Sequence, residues 1–155
     1  MLLRTHLSIT LFFILLFISS VENKAIFVIV SLAATYIPDI DTPYGKIGRK
    51  KIFRFLQFFT KHRGIFHSFT LLFMLFIVLL VFYPAIAFGF FVGYGSHLFA
   101  DSFTLSGIRP FYPWKKRFKG FIRTGGALEI LIFLVFMAVD IYLIYSRLLV
   151  SIIGQ

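Results

Sequence analysis

Apolar residues gather in five stretches along the chain, at about residues 7–21, 25–37, 68–82, 85–99 and 127–149. Polar or helix-stopping residues separate them: Glu22-Asn23-Lys24 after the first, Pro38 after the second, and Tyr83-Pro84 between the third and fourth. The pattern predicts an all-α, polytopic membrane helix bundle with about five membrane-embedded helices. The first two stretches fall short of the ~20 apolar residues of a full crossing, so they tilt, thin the bilayer locally, or form a hairpin that enters part way. A cleavable signal peptide is the competing reading of the first, because Arg4 precedes an apolar run ending in Ser19-Ser20. The next apolar stretch follows almost at once, which argues against it. In the fourth stretch, Gly89-Phe90-Phe91-Val92-Gly93 is a GxxxG pattern, which lets helices approach closely, although glycine is common in membrane helices generally.

Composition supports the same class. The 155 residues are 59% hydrophobic, 20% aromatic and 14% charged, with a mean hydropathy of +0.93, far from a soluble average. Residues 1–155 are read as a single integral-membrane domain. With no cysteine there is no disulfide framework, thiolate zinc site or cysteine nucleophile, so any metal must rest on nitrogen and oxygen ligands.

Charge orients the helices. The segment 39–64 carries Lys46, Arg49, Lys50, Lys51, Arg54, Lys61 and Arg63, and the segment 109–123 carries Arg109, Lys115, Lys116, Arg117, Lys119 and Arg123. Only Arg4, Lys24 and Arg147 lie elsewhere. Basic residues in short loops mark the cytoplasmic face, and a hairpin of the third and fourth helices places both loops on that face. The net charge of +10 is therefore topological, and no nucleic-acid recognition motif accompanies it. Residues 46–61 interleave these cations with Ile52, Phe53, Phe55, Leu56, Phe58 and Phe59, which predicts an amphipathic interfacial helix partnered by anionic lipid headgroups. Phe111-Tyr112-Pro113-Trp114 reads as an interfacial anchor.

This topology gathers the chemistry at one end. His6 precedes the first helix, Asp39 and Asp41 follow the second, His62 and His67 enter the third, His97 and Asp101 end the fourth, and Glu129 begins the fifth. All eight fall on the cytoplasmic side. Polar residues prefer helix ends anyway, and each pair alone is more often a cap or a satisfied polar group. Their shared depth favours joint ligation. His97 and Asp101, four residues apart, share one helix face. Imidazole and carboxylate ligands suit zinc first, with manganese or iron as alternatives, in one or more ions. Asp140 stands apart, roughly 16 Å deeper than Glu129 along a helix, and is left out of the site.

Three strings carry a family resemblance: Pro38-Asp39-Ile40-Asp41, His62-Arg63-Gly64-Ile65-Phe66-His67-Ser68, and Ser96-His97-Leu98-Phe99-Ala100-Asp101 followed by Thr104 and Gly107. In order and spacing, from Thr5-His6 to Glu129, they resemble the YdjM-like family of membrane-bound, metal-dependent hydrolases. The resemblance implies a small helical inner-membrane protein whose His and Asp motifs form a metal centre. The ligand pattern is also similar to that of zinc-dependent phospholipase C and nucleases.

The expected function is hydrolysis of a phosphoester, in a lipid or lipid-linked substrate, at the cytoplasmic interface. Metal ions lower the pKa of bound water toward about 7 and neutralise phosphoester charge. Asp39, Asp41, His67 and Asp101 form the expected catalytic set; which carboxylate is the general base stays open, since ligand and base look alike in sequence. Arg63 is the expected phosphate contact through its planar fork, with pairing to Asp39 or Asp41 as the alternative. Two other classes compete: a metal transporter, which would place polar residues at several depths, and a silent scaffold using the metal structurally. Substrate and oligomeric state are not read from the sequence.

Overall fold

The computed structural model describes residues 1–41 and 64–153, and within them every regular element is helical. Helix α1 spans Leu3–Phe17 and runs into a 3-10 turn at Ile18–Ser20. Asn23 then caps α2 (Lys24–Ala34), its Oδ1 accepting the Ile26 N–H at 3.1 Å. A 3-10 turn at Pro38–Asp41 follows. Beyond the undescribed segment, Ser68 caps α3 (Phe69–Phe82) by accepting the Leu71 N–H at 3.2 Å. Pro84 opens α4 (Pro84–Ser102), where its missing N–H and fixed φ suit a first turn. Helix α5 covers Ala127–Ile153.

Among the described residues, two helical segments, Leu3–Ser20 and Ala127–Val150, are long and apolar enough to cross a membrane. The expectation of about five embedded helices is thus met only in its coarse form, an all-helical chain. Helix α2 has 11 residues and α3 has 14, so each is shorter than the ~30 Å of a hydrocarbon core at 1.5 Å per residue. Helix α4 has 19 residues, but its glycines, serines, His97 and Asp101 dilute its apolar character. The expected interfacial helix at 46–61 lies outside the described residues.

Helix α4 is the centre of the packing, with α1, α2 and α3 all against it. Tyr94, Leu98 and Phe90 of α4 form one buried cluster with Ala34 of α2 and Leu72 of α3. Val92 joins a second with Ile14 of α1 and Phe27 of α2. The GxxxG pattern makes the α2–α4 seam: a Cβ on Gly93 would fall 2.0 Å from the Ser31 carbonyl oxygen, and one on Gly89 3.1 Å from that of Phe27. Only glycine at 93 allows this approach.

Outward, α3 bares Ile77, Val81 and Phe82, and α5 bares Leu131, Leu134, Ile141 and Val150. Contiguous apolar faces of this kind suit lipid rather than water. The loop after α4 folds back on the bundle, where Thr104 bridges to Ile122 and Ile108 to Phe118, burying both isoleucines. Its Phe111, Trp114 and Phe121 stay exposed.

Candidate metal centre

Each ligand-bearing side chain is set by a local device. In the turn before α3, the His67 N–H donates to Gly64 O at 3.2 Å and the Ser68 hydroxyl to Ile65 O at 2.6 Å. The Tyr94 hydroxyl donates to Phe66 O at 2.7 Å and ties that turn to α4. From the other side, the Arg109 N–H donates to His67 O at 3.3 Å. The α4 helix supplies His97 and Asp101 from one face, α1 supplies His6 from its first turns, and the Pro38–Asp41 turn supplies Asp39. His6, His67, His97 and Asp101 are almost wholly buried, whereas the Asp39 side chain remains 30% exposed and marks the open side.

The distances within this group are compatible with shared coordination of an ion. His6 Nε2 lies 3.4 Å from Asp101 Oδ1, His67 Nε2 3.6 Å from Asp101 Oδ2 and 3.7 Å from Asp39 Oδ1, and His97 Nε2 3.8 Å from Asp39 Oδ1. Most hydrogen bonds between such groups are shorter, about 2.7–3.2 Å. Two ligands about 2.1 Å from a tetrahedral ion, by contrast, stand roughly 3.4 Å apart. His6, His97 and Asp101 form one triad with ligand atoms within 4.8 Å of each other, and Asp39, His67 and His97 form another. His97 belongs to both.

The protonation pattern of His97 fits the same use. Its Nδ1 lies 2.8 Å from the Thr35 carbonyl, an acceptor only, so the proton sits on Nδ1 and the Nε2 lone pair is free. That Nε2 is buried and has no hydrogen-bond partner among the described residues, and both ring nitrogens of His6 are in the same state. A buried nitrogen without a partner is costly unless something else fills it. The rings of His6 and His97 stack in parallel, 3.8 Å between centroids at 1°. Behind them, Thr10 Oγ1 lies 2.9 Å from Thr35 Oγ1 and 2.8 Å from Ser96 Oγ, locking α1, α2 and α4 where they aim His97. The residues present therefore fit a divalent cation with nitrogen and oxygen preference.

This geometry sits in a chain whose residues 1–153 match the family model described as YdjM inner membrane protein. The chain belongs to the YdjM inner membrane protein family. It is accordingly a membrane protein. No curated protein and no solved structure matches it.

Within this YdjM-family chain, the expected ligands divide. Five converge: His6, Asp39, His67, His97 and Asp101. Glu129 is turned to other work, accepting the Leu2 N–H at 2.5 Å, the Thr5 hydroxyl at 2.9 Å and the Gly125 N–H at 2.6 Å. It stands beside the ligand cluster as a clamp on the start of α1. His62, Arg63 and the Asp41 side chain lie outside the described residues. Asp140 is buried against α1, where the Ser8 hydroxyl donates to its Oδ2 at 3.1 Å.

Three participants are not singled out by the sequence. The Thr35 carbonyl is a backbone group and leaves no residue signature. The Met1 ammonium contacts Asp101 Oδ1, a pairing that needs α1 and α4 side by side. Arg109 counts in sequence only as one cation of a basic loop, yet its amide donates to the His67 carbonyl and its Nε is buried without a hydrogen-bond partner among the described residues.

Proposed function

We propose that this protein is a membrane-bound, metal-dependent phosphoester hydrolase whose ion is held by His6, Asp39, His67, His97 and Asp101. The observation that carries the reading is the spacing of 3.4–3.8 Å between imidazole and carboxylate atoms, around a buried His97 Nε2 that no donor among the described residues fills. A divalent ion bound there would supply Lewis acidity and lower the pKa of water at neutral pH. Zinc is the first choice on these ligands, with manganese or iron next.

The chain's own residues supply the rest. Thr35 fixes the tautomer and plane of His97, so the ligand is in place before any substrate arrives. Asp101 is buried between His6 and His67, with Oδ2 turned to His67, and its Oδ1 would exchange the Met1 ammonium for the ion. Asp39, the more exposed carboxylate of the described cluster, faces the open side and is placed to accept a proton from water or substrate. Arg63 would pair with a phosphate oxygen through its planar fork, and Arg109, whose backbone amide donates to the His67 carbonyl, would be a second cation near that turn.

In the membrane, α1 and α5 would cross, α3 and α4 would form a hairpin, and α2 would enter part way, with the ligand end at the cytoplasmic face where the basic loops lie. Anionic lipid headgroups would be the neighbours of those loops. The test is phosphodiesterase and phosphomonoesterase turnover by the purified full chain, with and without chelator. Turnover abolished by chelator and restored by zinc or manganese is expected; metal uptake into liposomes without turnover would favour transport and overturn the reading.

A further inference from the structure

Between Asp101 and Glu129 the chain carries six basic residues and no acidic one. Of the six acidic residues in the whole chain, Asp39, Asp101, Glu129 and Asp140 are engaged in the cluster or beside α1, and no ion pair among the described residues reaches the basic loop. Its counter-charge comes from outside the chain. The loop also holds a cavity of about 300 Å³, lined by Pro110, Phe111 and Trp114 on one arm and by Lys116, Arg117 and Phe118 on the other. We propose that this cavity takes the phosphate of one anionic phospholipid of the surrounding bilayer. The inference is independent of the metal cluster and of any hydrolysis there.

Backbone contacts form the cavity before any ligand arrives. Ile108 and Phe118 exchange hydrogen bonds, the Ile108 N–H donating to Phe118 O at 3.0 Å and the Phe118 N–H to Ile108 O at 2.9 Å, which closes residues 109–117 into a hairpin tip. Gly107, at φ +61°, allows that closure, because a Cβ there would fall 2.0 Å from the Phe118 carbonyl oxygen. At the tip, the Trp114 N–H donates to Phe111 O at 2.8 Å and turns the chain between the two arms. Little ordering cost is left for a ligand.

Depth favours a lipid over a soluble anion. The Phe69 and Thr70 N–H groups both donate to Pro110 O, at 2.9 and 3.3 Å, so the loop is stapled to the first turn of α3. One turn further on, α3 bares Phe73 and Met74, the start of its lipid-suited face. The cavity therefore lies at the rim of the apolar band, where phospholipid headgroups are. Phe111, Trp114 and Phe118 are 61%, 70% and 60% exposed; in that layer such rings anchor a chain, whereas in water they stand bare. Arg117 offers a phosphodiester a planar fork and Lys116 a point charge, while the rings suit the glycerol and upper acyl carbons. The lining thus matches both halves of the ligand.

Trp114 is the chain's single tryptophan, so its fluorescence reports on the cavity directly. The test places the full chain in phosphatidylcholine nanodiscs containing, at equal mole fraction, either phosphatidylglycerol or phosphatidylcholine brominated near the top of one acyl chain, since bromine quenches indole on contact. Quenching by the brominated phosphatidylglycerol is expected to exceed that by the brominated phosphatidylcholine about threefold or more, given two cations at a membrane surface. That excess should vanish in Lys116→Gln/Arg117→Gln and persist in Lys119→Gln/Arg123→Gln, which removes equal charge from the same loop outside the cavity. Equal quenching by the two lipids in the wild type would overturn the proposal. So would an excess that survives Lys116→Gln/Arg117→Gln, or one lost equally in both double variants, which would show diffuse attraction only. Loss of the excess on adding inorganic phosphate at constant ionic strength would assign the cavity to a soluble anion and likewise overturn it. All four substituted residues are exposed, and the wild-type comparison decides even if a variant fails to fold.

Discussion

Glu129 and His97 are both buried at the end of the bundle where α1 begins. Glu129 accepts hydrogen bonds from Leu2, Thr5 and Gly125, so its oxygens are satisfied by the chain itself. His97 spends Nδ1 on the Thr35 carbonyl and keeps Nε2 unfilled among other nitrogen and oxygen donors. The difference separates a carboxylate already satisfied by the chain from a nitrogen that can take an ion. Sequence position treats the two alike, because both are polar residues at a helix end; only the count of donors reaching each atom tells them apart.

The largest expected effect is on the ligand side. His97→Ala removes the residue shared by both triads and should abolish metal binding and chelator-sensitive turnover, read as metal content per chain and rate over background. Next comes the seam that aims the ring. Gly93→Ala would force a methyl into the Ser31 carbonyl, and overpacking of this kind costs about 1–3 kcal/mol, so the melting temperature in detergent should fall. Metal affinity should fall with it, because Thr35, whose carbonyl orients His97, caps α2 and donates its hydroxyl to the Ser31 carbonyl at 2.9 Å.

The clamp side should respond differently. Glu129→Gln replaces a carboxylate that accepts three hydrogen bonds by an amide with one acceptor oxygen, a loss of about 1–3 kcal/mol. Thermal stability should drop while metal content stays at the wild-type level. Equal loss of metal in Glu129→Gln and His97→Ala would erase the distinction between clamp and ligand. The smallest effect belongs to Thr10→Val, which deletes the hydroxyl linking Thr35 and Ser96 and should cost about 1 kcal/mol, with weaker metal binding but no change in metal preference.

Much of this was legible in the chain. The apolar stretches and their breaks place the helices to within a few residues, because Pro38, Pro84 and the Asn23 and Ser68 caps act locally. His97 and Asp101 share a face because the helical period requires it. Which of the five stretches form crossing-length helices was less legible, since apolar runs do not say where hydrogen bonding ends. The GxxxG pattern was ambiguous in sequence and becomes a close seam only because α2 lies against Gly89 and Gly93. Glu129 and Arg109 could not be assigned, since both depend on donors and acceptors from distant segments: Leu2 and Thr5 for one, His67 for the other.

The chain's imidazoles and carboxylates at the end of the bundle are proposed to hold a divalent ion. Elemental analysis of the purified full chain, wild type beside His97→Ala, tests it most directly. At least one zinc, manganese or iron ion per wild-type chain and none in His97→Ala is the expected result; equal metal content in the two proteins, or none in either after supplying these ions, would contradict it.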